Sequence, residues 1–107
     1  MKIEIKTRKF NVNDIEITHI SDIELNNNEM ITFKKGNKEY DFIAKDWGYY
    51  ATPSINGRLK SFGYKTALVK NSYGKVFINV VEIEKMDNFL EYLKRENSEI
   101  LEWLDEQ

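Results

Sequence analysis

Isoleucine alternates with charge from the start of the chain. Ile3 and Ile5 fall on one face of an extended segment, Lys2–Lys6, with Lys2, Glu4 and Lys6 on the other. The pattern returns over Glu16–Leu25, where Ile15, Ile17, His19, Ile23 and Leu25 share a parity that is interrupted near Ile20 and Ser21. Asn26–Asn28 reads as a turn, because Asn tolerates left-handed backbone and bonds its own main chain. Met30–Lys35 and Glu39–Ala44 follow as two strands joined across Gly36 and Asn37. These runs predict an antiparallel meander.

The pattern changes after Trp47-Gly48. Thr52-Pro53 is a helix-start signal, with Thr as the cap and Pro at the first position, where no amide is needed. It predicts a short helix over Pro53–Ser61 that buries Ile55, Leu59 and Phe62 and stops at Gly63. Gly57 inside that helix costs about 1 kcal/mol of propensity. Tyr64–Lys70 and Lys75–Val81 are β-branched apolar runs around an Asn71–Gly74 loop. From Glu84 the spacing turns helical, through Met86, Phe89, Leu90 and Leu93, and then Ile100, Leu101 and Leu104. Asn97-Ser98 divides this stretch into two helices, with Ser98 capping the second; an edge strand over Glu99–Leu104 is the other reading of its short apolar run. The expected fold is therefore α+β. It has an antiparallel sheet of five or six strands, a short central helix and C-terminal helices packed on one face. A chain of 107 residues is expected to form a single domain, 1–107.

Composition narrows the function more by exclusion than by indication. With 41% hydrophobic and 13% aromatic residues the chain is too apolar for disorder. No apolar run approaches the roughly 20 residues of a membrane-spanning helix, and the N-terminus lacks a signal-peptide core. The expectation is a cytoplasmic protein that does not engage a membrane. The absence of Cys removes disulfides, thiolate nucleophiles and thiolate metal sites. Lys, Ile and Asn supply 36 of the 107 residues, a bias toward A/T-rich codons that points to a low-GC bacterium or phage as source. The net charge of −2 conceals an uneven distribution: residues 1–40 balance, 41–79 carry +4 and 80–107 carry −6.

Catalytic and cofactor chemistry lacks the usual signatures. His19 is the sole histidine, and in a strand Asp22 would point to the opposite face, which argues against a base–orienter pair. The acidic tail lacks the spacing of a calcium loop, and the glycines form neither a phosphate-binding loop nor a dinucleotide fingerprint. No catalytic residues, metal or cofactor are expected, and the chain reads as a non-enzyme; a small enzyme without a recognisable motif is the third alternative. The candidate working face is the middle of the chain, where the only Pro, Gly48, Gly57 and Gly63 mix with aromatic rings and cations. The candidate binding residues are Trp47, Tyr49, Tyr50, Ser54, Asn56, Arg58, Lys60 and Lys65. Trp, Tyr and Arg are enriched at protein-binding hot spots, so a protein partner is the leading expectation, with an accessory or inhibitory role. The alternative on segment 45–65 is a phosphate-bearing ligand or single-stranded nucleic acid. It would be held by aromatic stacking and by free amides near Ser54–Asn56. Trp47, Phe62 and one of the two adjacent tyrosines are expected in the core. Tyr49 and Tyr50 cannot both point inward from an extended segment.

Overall fold

The computed structural model describes residues 1–106. Its architecture is α+β and mostly antiparallel, but the strands form three small sheets, not one of five or six. β1 (Lys2–Val12) and β2 (Ile15–Glu24) make a long hairpin; β3 (Met30–Lys35), β4 (Lys38–Lys45) and β5 (Gly48–Ala51) make a second sheet in that order. β6 (Tyr64–Lys70) is the centre of the third, between β7 (Val76–Glu82) and β8 (Glu99–Trp103). α1 (Arg58–Ser61) precedes β6, and α2 (Met86–Arg95) follows β7 through a 3-10 turn at Ile83–Lys85.

Each tight connection carries the residue its backbone needs. Asn13 closes the first hairpin at φ 56°, Gly36 the β3–β4 turn at 62°, and Gly74 the β6–β7 loop at 78°. Asn71 stabilises that last loop by accepting the amides of Tyr73 and Lys75 on its side-chain oxygen, at 3.0 and 2.9 Å. The sheet is divided where such connections are missing. Asn26–Asn28, with Asn28 at φ 67°, turns the chain away before β3 can pair with β2. The non-strand segment 52–63 separates β5 from β6.

Two expected helical regions differ from their sequence reading. The central helix shrinks to Arg58–Ser61: Gly57 is non-helical at φ −123°, ψ −101°, and Ser54 O accepts the amides of Gly57 and Leu59 in a preceding turn. Thr52 does not cap it; its hydroxyl donates to Asp41 Oδ2 at 3.1 Å, and Ser54 Oγ accepts the Arg58 amide instead. Of the two C-terminal helices only α2 forms. The second is β8, which supplies β6 with its other neighbour, and a 3-10 turn over Leu104–Glu106. The helical reading rests on the spacing of Ile100, Leu101 and Leu104, and the backbone pairs differently, bringing Ile100 together with Trp103. A register shift at Leu101 places both on the same face of a bulged strand.

The core is small. α2 lays Leu93 and Phe89 over Ala67 and Val69 of β6, with Ile100 and Trp103 of β8 closing the side. Phe89 and Trp103 meet edge to face, 6.2 Å between centroids. Leu59 of α1, fully buried, and Tyr64 are also enclosed. The second and third sheets are joined near the β3–β4 turn, where Lys35 pairs with Glu82 at 2.6 Å and Lys38 Nζ donates to Phe62 O at 2.6 Å. Gly63 sits at this junction with φ 87°, and a Cβ there would stand 3.0 Å from Lys38 Nζ. Gly63→Ala is therefore expected to cost about 1 kcal/mol or more, read as a lower denaturation midpoint. An unchanged midpoint would show that the junction relaxes freely.

Candidate functional site

The two-residue β4–β5 turn, Asp46-Trp47, aims the most exposed cluster of rings in the central segment. The register pairs Met30 with Ile43 and Ile43 with Tyr50, so those three side chains form a row on one face of the second sheet. Trp47 stacks on Tyr50, with centroids 6.1 Å apart and planes 18° from parallel. Tyr49 is paired with Ala44 and lies on the opposite face. Trp47 is 71% exposed, Tyr49 70% and Tyr50 42%. The sequence expectation that Trp47 and one of these tyrosines enter the core is thus overturned. They sit on a four-residue strand and its turn at the edge of a three-stranded sheet, beyond the enclosed Asp41 and Ala44 of β4. β5 is also the terminal strand, so its outer backbone groups are free to pair.

The cations proposed with these rings are dispersed. Arg58, 45% exposed, folds back on the chain, its guanidinium 2.9 Å from Asp41 Oδ2 and 2.8 Å from Thr52 Oγ1, and it lies over the Phe62 ring. Lys65 stands on the third sheet, 3.1 Å from Glu106, 3.4 Å from Asp105 and over the Trp103 ring at 4.8 Å. Lys45 bonds Asn28. Lys60 and Asn56 are exposed, and Lys60 forms no ion pair among the described residues. Ser54 is occupied in capping, and the amides of residues 57–59 are taken by its carbonyl and hydroxyl. Of the eight candidates, three aromatic residues share the turn and strand β5, while Arg58 and Lys65 serve separate internal ion pairs.

Those ion pairs enclose the two buried aspartates, which sequence patterning did not single out. Asp41 is held below the usual carboxylate range, chiefly by the Thr32 hydroxyl and then by Arg58 and Thr52, against the opposing effect of burial. Asp105 is 3% exposed. Burial pushes its carboxyl up, but the Thr66 amide at 3.1 Å, its own amide and Lys65 together hold it low. Glu106, with Asp105, raises the Lys65 ammonium above its ordinary value. Both aspartates are anions built into the fold, each beside one cation, although Asp41 Oδ1 and Asp105 Oδ2 are buried with no hydrogen bond among the described residues. Carboxyls held this low are poorly suited to proton abstraction.

His19 departs from the sequence reading. Its Nε2 reaches Asp22 Oδ1 at 3.1 Å, although the two residues begin on opposite faces. The bulge in β1 between Ile5 and Arg8 lies opposite Ile20, and it is there, beside Lys6, that the two side chains meet. Nδ1 is 2.9 Å from Lys6 O, and Ser21 Oγ donates to Asp22 O, not to the imidazole. The pair therefore lacks an attached nucleophile. No group of three or more metal-ligating side chains converges among the described residues, and no helix there is long and apolar enough to cross a membrane.

The feature that sequence reasoning missed is the hairpin of β1 and β2, whose apolar side chains remain open to solvent along its length. Its signal was present in the alternation itself, which reads equally well as a face turned to the core. No family model, curated protein or solved structure matches this chain.

Proposed function

We propose that this chain is a non-enzymatic, cytoplasmic binding module that engages another protein through the Trp47–Tyr50 turn and the free edge of β5. The observation that carries the reading is the stacked, solvent-facing Trp47–Tyr50 pair beside Met30, in a setting where Arg58 and Lys65 are already neutralised by buried carboxylates. Rigid aromatic rings that are ordered before binding lose little conformational entropy on contact, so they serve well as anchors. An extended partner segment could pair with the outer edge of β5 while its side chains pack on the Trp47–Tyr50–Met30 row. A phosphate or single-stranded nucleic-acid ligand lacks the matching feature, a set of unpaired cations converging on the rings.

The test uses the full chain as bait, alongside a Trp47→Ala/Tyr50→Ala variant whose folding is verified by circular dichroism. A protein retained by the first and lost by the second, then titrated from purified components, is the expected result. Losing an anchor of this kind costs about 2 kcal/mol or more, roughly thirtyfold in Kd. Identical binding by both baits would remove this surface from consideration. A single-stranded oligonucleotide bound at physiological salt and lost in Lys60→Glu would establish the nucleic-acid alternative.

A further inference from the structure

The β1–β2 hairpin is an arm with one apolar face. In the base half, Ile3 pairs with Ile23 and Ile5 with Ser21; in the tip half, Phe10 pairs with Ile17 and Val12 with Ile15. A one-residue bulge between Ile5 and Arg8 connects the halves. It changes the parity of β1 from odd to even just where the sequence changes from Ile3 and Ile5 to Phe10 and Val12. All seven apolar side chains therefore share one face, with the Arg8–His19 pair between the two clusters. Each of the seven is between 37% and 82% exposed, Ile5 the most.

Among the described residues the body covers this face only in part. Polar ties join the arm's base and tip to the body: the amino terminus to Glu29, 3.1 Å, and Asn13 Nδ2 to Glu96, 2.7 Å. A cleft of about 740 Å³ lies between the tip, at Val12 and Ile15, and Phe77, Tyr92 and Leu93 of the body. The radius of gyration is 15.4 Å. A compact domain of this length has about 13 Å. A two-stranded hairpin alone is marginal in water, so this arm needs a covering surface.

We infer that the arm is the interface of a symmetric homodimer, in which the apolar face of one copy packs on that of a second copy. The arm carries its own charge balance on the opposite face. Lys2 and Lys6 pair with Glu4, Lys6 also with Asp22, and Lys9 with Glu16. The opposite face thus presents no surplus charge that would select an oppositely charged partner, and Arg8 is the one cation on the apolar face. An antiparallel two-fold arrangement lays the Ile3–Ile5–Ile23 cluster of one copy on the Phe10–Val12–Ile15–Ile17 cluster of the other. Such an interface is isologous and closes on itself. Seven side chains at these exposures leave on the order of 600 Å² per copy, so a pair buries roughly 1,200 Å², the lower bound of a stable specific interface. Arg8, between the two clusters, lies over the Phe10 ring at 5.1 Å; the two-fold brings the two Arg8 side chains near its axis, where their length lets each guanidinium reach out to solvent.

The mass of the purified chain at micromolar concentration, by light scattering and sedimentation, tests the inference. The expected mass is twice 12.7 kDa. Ile5→Glu, with Ile17→Glu as a second variant, should give a folded monomer, the dimer dissociation constant rising by about a hundredfold or more. Ile5 is so exposed that its substitution removes no packing from the single chain, and circular dichroism verifies this. A monomeric wild type overturns the inference, whether the arm closes on its own body or awaits another partner. A dimer that persists in both variants overturns it equally. Trp47→Ala/Tyr50→Ala should leave the mass unchanged, so this result and that of the binding test fail separately.

Discussion

Deleting residues 84–107 is expected to abolish cooperative unfolding, and Leu93→Ala alone to lower stability by about 2–5 kcal/mol. The whole stability of a domain this size is about 5–15 kcal/mol, so one side chain accounts for a large share. The reason is the scarcity of buried apolar groups. The cluster around Leu93 contains only Ala67 and Val69 as fully enclosed partners, flanked by Phe89, Ile100 and Trp103. Truncation removes α2 and β8 together, leaving β6 with one strand neighbour and a bare face. Leu90, on the same helix but 47% exposed, is the internal control. Leu90→Ala should change stability by no more than about 0.5 kcal/mol. Denaturant titration of both variants decides the matter, and equal losses would show that α2 is not anchored through Leu93.

Asp105→Asn should cost about 1–3 kcal/mol and should flatten the acid limb of the stability profile. The carboxylate holds the β6 backbone through the Thr66 amide and faces Lys65 from a site closed to solvent. Its folded pKa, and that of Asp41, is lower than the usual value of about 3.9 that applies in the unfolded chain. Near and below that value the unfolded state binds more protons than the folded one. Stability from these groups is therefore full above about pH 4–5 and is lost as pH falls through their folded values. The melting temperature of the wild type should drop along that limb, and that of Asp105→Asn should start lower and drop less. A variant whose curve runs parallel to the wild type would assign the acid sensitivity to other carboxylates, such as Glu29 or Glu82, which are also held low.

The division of labour between sequence and tertiary structure follows from what each local pattern can encode. Alternation of Ile with charge in β1 and β2, Gly36-Asn37 between β3 and β4, and the 3.6-residue spacing of Met86, Phe89, Leu90 and Leu93 are local signals. They determined strands, a hairpin and α2 because the period of side chains along one element needs no partner to be read. The opposite orientations of Tyr49 and Tyr50 follow from the same geometry. Pairing between elements is not local. An alternating strand specifies which of its faces is apolar but not which strand lies beside it. Three sheets in place of one, and β8 in place of a second helix, were therefore settled by backbone hydrogen bonding across the chain. The same limit governed the candidate site. Arg58 and Lys65 look free in sequence because Asp41 and Asp105, the carboxylates that neutralise them, lie 17 and 40 positions away along the chain. Only folding brings those charges within 4 Å, and only folding left Trp47 and Tyr50 stacked in solvent and the hairpin's isoleucines uncovered.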